Sequence, residues 1–154
     1  MASVTRAGPV YLDTNVFILA YEGAGAAAGP ARRLLGAVET GAVAAVTSEI
    51  TLAEVLVGAL KQGDDGLAAI YRQILMDDDA FTVWPVDRTV LELSADLRVR
   101  HASLKLPDAI HLATAVRTVC THVATADDRL PVAGELDRLA LEDRAIAIYL
   151  DRWP

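Results

Sequence analysis

Short apolar runs and amphipathic stretches alternate along most of the chain. Val10, Tyr11 and Leu12 form an apolar run with a β-branched start. The run stops at Asp13-Thr14-Asn15 and resumes through Val16, Phe17, Ile18 and Leu19, which predicts a buried strand, a polar turn and a helix. Residues 31–40 read as a short helix stopped by Gly41, and residues 42–46 as a second strand. Residues 49–61 read as a helix in which Ile50, Ala53, Leu56, Val57 and Leu60 recur at helical spacing. A turn over 62–66 leads to a helix over 67–76, which ends in the solvated acids Asp77-Asp78-Asp79. A third strand over 81–86 follows, with Pro85 marking its end or an edge position. Next come a long amphipathic helix over 90–101, an almost wholly apolar helix opened by Pro107, and a fourth strand over 122–125. From 140 to 150 the pattern fits a strand or a helix equally. Strands alternating with helices predict an α/β fold, with helices on both faces of a small, mainly parallel central sheet.

A parallel strand covered on both faces is apolar throughout, so an acid set directly after one lies at its carboxyl end, where open α/β sheets bind ligands. Asp13 has that place after the first strand. Asp127 or its neighbour Asp128 has it after the fourth, and parallel strands point these ends the same way. Each acid also has a plainer explanation. Asp13 or Thr14 suits an N-cap, worth about 1 kcal/mol. Thr51-Leu-Ala-Glu54 matches a capping box. Asp108, just after Pro107, would complement the helix macrodipole, worth about 0.5 kcal/mol. Against the capping box, Thr47 or Ser48 is the better-placed cap, which leaves Glu54 about two turns inside a largely apolar helix, where an acid needs a partner. Asp108 opens the most apolar helix and is therefore expected in an interior cleft. His111, one turn on, reads as a hydrogen-bonded core or rim histidine with a weaker claim to orient the acids.

Composition narrows the chemistry. A chain of 154 residues suits one domain with a real core, and 53% hydrophobic residues with few aromatics suits helices packed on a small parallel sheet. The net charge of -7 repels polyanions at long range, so a nucleic acid must be held by a local Arg/Lys patch or by bound cations. Cys120 stands alone, which excludes an intramolecular disulfide, and His101, His111 and His122 lack the paired spacing of a zinc site. Gly23, Gly25 and Gly29 follow a helix at the wrong spacing for a dinucleotide loop. No run reaches membrane-spanning length, and Asp13 and Asn15 interrupt the only leader-like stretch, so a cytoplasmic protein with no membrane partner is expected.

Four segments, in this order and spacing, carry a resemblance. They are Leu12-Asp-Thr-Asn15, Thr47-Ser-Glu-Ile-Thr-Leu-Ala-Glu54 followed by Gly58, Leu106-Pro-Asp-Ala-Ile-His-Leu-Ala-Thr-Ala115, and Thr125-Ala-Asp-Asp-Arg-Leu130. Together they resemble the PIN-domain nucleases, most closely the VapC-type toxins of bacterial toxin–antitoxin pairs. The resemblance implies a PIN-like three-layer α/β/α sandwich and a metal-dependent endoribonuclease that uses Mg²⁺ or Mn²⁺. Its acidic cluster would be Asp13, Glu54, Asp108 and Asp127. Asp13 and Asp108 would be principal ligands, Asp127 a second ligand or a water-mediated contact, and Glu54 a ligand or the group positioning the attacking water. The Thr-x-Asp pattern favours Asp127 over Asp128. Thr14, Asn15 and Thr125 would orient carboxylates or water. An RNA substrate, a small antitoxin whose tail covers the cleft, and a homodimer are implied as partners. Past Leu130 the sequence departs from the family pattern, and nothing is carried over there.

Electrostatics agrees with a cation. Two carboxylates about 4 Å apart repel by about 4 kcal/mol at an effective dielectric of about 20, so several together protonate or splay unless a cation holds them. Oxygen-only ligands point to Mg²⁺ or Mn²⁺. Lys105, Arg98, Arg100 and Arg129 flank the expected cleft and are candidates to hold phosphates, against ordinary helix-end or salt-bridge duty. Two rival readings are a silent acidic groove that grips a basic partner segment, and a receiver-like domain, whose late strand-end lysine is absent.

Overall fold

The computed structural model describes residues 8–77, 79–132 and 134–153; the leader before Gly8 and Asp78 of the acid triplet lie outside them. Five strands form one parallel sheet in the order β3-β2-β1-β4-β5: β1 (Val10–Leu12), β2 (Ala45–Ser48), β3 (Thr82–Trp84), β4 (His122–Thr125) and β5 (Asp137–Ala140). Around it pack α1 (Thr14–Glu22), α2 (Ala28–Glu39), α3 (Ile50–Gln62), α4 (Asp65–Asp77), α5 (Arg88–Arg100), α6 (Leu106–Arg117) and α7 (Asp143–Leu150).

The central strand β1 is buried along its whole length and pairs Val10 with Ala45 on one side and with His122 on the other. Its side chains alternate between two cores. Val10 and Leu12 join Ala45, Ala124 and Leu139 under α1, α2, α4 and α7, whereas Tyr11 joins Val46 and Val123 under α5 and α6. The result is the predicted three-layer α/β/α sandwich. The Tyr71 hydroxyl of α4 donates to the Glu22 carboxylate at the end of α1, which ties two helices of one layer.

Differences from the sequence expectations have local causes. β2 begins at Ala45 rather than 42, because the Ala42 and Val43 N–H groups both close on the Ala37 carbonyl as the chain leaves α2. Thr47 and Ser48 are consequently strand residues, and the N-cap position of α3 falls to Glu49, although the Ser48 hydroxyl still accepts from the Ile50 N–H at 3.3 Å. Thr47 is fully buried, with its hydroxyl donating to the Leu12 carbonyl at 2.8 Å. The buried face of α3 is Thr51, Val55 and Ala59, while Val57 and Leu60 are exposed. That helix ends at Gly63, whose φ of 67° is the left-handed C-cap that glycine adopts most readily. β3 spans only Thr82–Trp84, an edge strand stopped by Pro85. Pro107 is the second residue of α6, not the first. The stretch over 140–150 that fitted either a strand or a helix is mostly the helix α7, which returns Ile146 and Tyr149 to the core, and β5 just before it extends the sheet.

If α7 is part of the packed core, Ile146→Ala, at a position with no exposure, should cost about 2–5 kcal/mol in urea unfolding. A cost below about 1 kcal/mol would show that the last helix is peripheral.

Candidate active site

The sheet reverses its order at β1. The chain runs β1, β2, β3 to one side and returns to place β4 on the other. The crevice beyond the carboxyl ends of β1 and β4 is therefore a topological switch point, where open α/β sheets take ligands. Asp13 follows β1 there, 8% exposed, and its N–H donates to the Ala124 carbonyl of β4 at 3.1 Å. The plainer explanation of this acid holds: it is the N-cap of α1. Its Oδ1 accepts from the Thr14 N–H at 2.8 Å, while Oδ2 accepts from Asn15 Nδ2 at 2.9 Å and the Thr125 hydroxyl at 2.7 Å. Asn15 is fixed in turn by the Ala126 N–H, which donates to its Oδ1 at 3.0 Å.

Glu54 reaches the same region from α3, and the capping box is not formed. Its Oε1 accepts from the Thr14 hydroxyl at 2.8 Å and lies 2.5 Å from His111 Nε2. Burial works to raise the Glu54 carboxyl, but the hydrogen bond and charge of His111, helped by Thr14, bring it below its ordinary value. His111 Nε2 is also 3.7 Å from Asp13 Oδ1, so one ring nitrogen stands between the two acids. The histidine is 2% exposed, and its Nδ1 is 2.6 Å from the fully buried Tyr11 hydroxyl. His111 was underweighted in the sequence and Tyr11 was missed. The available signal was spacing: His111 lies three residues after Asp108, on the same face of α6.

Asp108, in the first turn of α6, and Asp127, after β4, line one cleft of about 280 Å³ together with Lys105 and Arg129. Among the described residues no hydrogen bond or ion pair reaches the Asp108 carboxylate. Burial pushes its pKa up, and the charges of Asp13, Asp127 and Glu54 add to that push against a smaller opposing effect of His111. Asp127 Oδ1 accepts from the Arg129 N–H at 2.9 Å, with Arg129 Nε 3.6 Å away. Asp128 lines a different pocket, of about 400 Å³, with Arg138 and Glu142. Two expected cleft residues are corrected. Arg98 gives its Nε–H to the Leu104 carbonyl at 3.2 Å, and Arg100 pairs with Asp96 at 2.7 Å one turn back on α5. Neither lines the cleft, and both do ordinary helix-end work.

Asp108 thus lies within reach of the charges of Asp13, Asp127 and Glu54. Among the described residues, no three Asp, Glu, His or Cys side chains already stand close enough to cage a cation. Unscreened repulsion between carboxylates favours such a spread arrangement.

The profile of the PIN domain matches residues 10–136. The chain belongs to the PIN domain family. Among solved structures, a toxin–antitoxin complex from Klebsiella pneumoniae is similar to this PIN domain with a TM-score of 0.63 and 27% identity, over 83% of this chain and 95% of the other. VapC20 of Mycobacterium tuberculosis, a sarcin–ricin-loop-cleaving toxin, has a TM-score of 0.67 at 18% identity, over 79% of this chain and 92% of its own. FitAcB from Neisseria gonorrhoeae has 0.59 at 23% identity, over 77% and 87%. The last two likenesses bear on fold alone. No curated protein is significantly similar to the chain.

The raised Asp108 pKa gives a signed expectation for this PIN domain. A carboxyl with a folded-state pKa above its unfolded value costs stability where it is ionised, and the cost disappears as pH falls through the folded value. Asp108→Asn should therefore raise Tm at pH 7 in chelator, by about 2–4 °C for each kcal/mol of repulsion relieved. Because the group is partly exposed, the gain should shrink in high salt. It should also vanish in acid. An unchanged or lower Tm would mean that Asp108 is not under the field of the other acids.

Proposed function

We propose that this PIN domain is a metal-dependent endoribonuclease hydrolysing RNA phosphodiester bonds, and that it is the toxin of a toxin–antitoxin pair. The observation that carries the reading is the switch-point crevice, where Asp108 is raised in part by the charges of Asp13, Asp127 and Glu54. The donor set fits a hard divalent cation: carboxylate oxygens from four elements, no thiol, and an excess of negative charge that a cation would relieve. Asp13, Asp108 and Asp127 would hold Mg²⁺ or Mn²⁺, with Glu54 as a further ligand or as the base that orients water. Such an ion, when bound, polarises a phosphoryl oxygen and lowers the pKa of water.

The chain's own residues supply the rest. Thr125 and Asn15 fix the Asp13 carboxylate by hydrogen bonds, so its oxygens need no reorientation when charge develops nearby. Glu54, ionised and held through Oε1, can accept a proton from an attacking water. Lys105 and Arg129 stand on the rim beside Asp108 and Asp127, where they can receive phosphate oxygens despite a net charge of -7.

Similarity to a toxin–antitoxin complex supports a small antitoxin as partner, and RNA as substrate, a homodimer and a cytoplasmic site of action belong to the same proposal. Among the described residues no helix is long and apolar enough to cross a membrane.

The test is cleavage of structured RNA by the purified chain with Mg²⁺, with the new RNA ends sequenced. Chelation should abolish cleavage and Mn²⁺ should restore it. Asp13→Asn and Asp108→Asn should each reduce the rate by more than the about 10–100-fold typical of losing an outer partner of a metal ligand. Cleavage unchanged in both variants would remove the mechanism. Capture of a basic peptide without hydrolysis would return the cleft to the silent-groove reading.

A further inference from the structure

The hydrolysis proposed above does not by itself call for a buried imidazole. Of the residues α6 buries, Ala109, Ile110, Leu112, Ala113 and Ala115 are apolar, and Thr114 turns its hydroxyl back to the Ile110 carbonyl. A leucine would fill the His111 position without the cost of desolvating two ring nitrogens. The ring is nevertheless engaged at both. Nε2 lies 2.5 Å from Glu54 Oε1 and 3.2 Å from the Thr14 hydroxyl, and Nδ1 lies 2.6 Å from the Tyr11 hydroxyl.

An ionised carboxylate only accepts, so the proton between Nε2 and Oε1 belongs to the imidazole, whether or not Nδ1 is protonated too. The Thr14 hydroxyl donates to the same Oε1. Two donors therefore converge on one oxygen of Glu54, and none from the described residues reaches Oε2. The side chain is 34% exposed. The ring itself is held by Tyr11, a fully buried β1 residue whose aromatic plane meets the imidazole at 66° with centroids 5.7 Å apart.

We infer that His111 is a positioning residue: locked by Tyr11, it pins Oε1 of Glu54 and thereby leaves Oε2 directed to the crevice. The catalytic meaning of the pin rests on the nuclease reading; the pin itself does not. A glutamate free on a helix surface samples several rotamers, and freezing them beforehand removes that entropy from the reacting state.

Three variants test it. His111→Gln keeps an N–H donor near the place of Nε2, His111→Leu fills the volume without a donor, and Tyr11→Phe removes the ring's anchor. All are assayed well below their measured Tm. The Leu variant should lose kcat by about 10–100-fold with KM for RNA unchanged, as outer partners of a site typically do. The Gln variant should recover most of that loss, and the Phe variant should fall between. Proton NMR of the wild type should show a slowly exchanging, downfield Nε2–H resonance that moves in Glu54→Gln. Leu and Gln variants that are alike, whether both active or both impaired, would overturn the inference, as would absence of that resonance. Wild-type protein that cleaves no RNA would instead overturn the nuclease reading, while the resonance still decides whether the pin exists.

Discussion

The pairing of β1 with β4 is the constraint on which everything at the crevice depends. These strands are far apart in sequence, yet Leu12 lies opposite Ala124 and the Asp13 N–H closes on the Ala124 carbonyl. This brings Thr125 within hydrogen-bond reach of the Asp13 carboxylate and sets Asp127 on the same edge. The α6 helix, which precedes β4 in the chain, then delivers Asp108 and His111 to that edge from the second layer. Only a crossover that returns past β2 and β3 produces this meeting, because hairpin-connected strands would send successive ends to opposite edges.

The crevice sets local function against stability. Asp13 has three donors and Glu54 has two, so part of the cost of holding those carboxylates is offset inside the protein. Among the described residues Asp108 has no such support, and burial together with the charges of its acidic neighbours pushes its pKa up. Perturbed carboxyls of this kind cluster at functional sites. Lys105 and Arg129 reduce the push only weakly, since both are exposed and well screened.

Much of this was legible in the sequence, for identifiable reasons. β1 declared itself because a strand covered on both faces is apolar without alternation, and Asp13 stood out against it. Asp13 and Asp127 could be assigned to one edge because a parallel sheet fixes where strand ends go. β5 was illegible because Asp137 and Arg138, half of its residues, are exposed charges, so an edge strand of four residues carries almost no apolar signal. The start of β2 was misplaced because Val43, apolar and 1% exposed, packs at the end of α2 instead of in the sheet. His111 was undervalued because a single histidine on an apolar helix has no period of its own; its meaning lies in Tyr11 and Glu54, residues 100 and 57 positions away. Arg98 and Arg100 looked like phosphate ligands on proximity in sequence alone, which says nothing of the direction in which a helix points them.

The two borders of the sheet are worth setting side by side. On one, β3 offers three residues before Pro85, which has no N–H to give. On the other, β5 opens with Asp137 and Arg138, both exposed. A new strand approaching either margin finds few free backbone groups or an unwelcoming row of charges, the device by which β proteins avoid unwanted zippering. Growth of the sheet by lateral addition is thus discouraged at both ends.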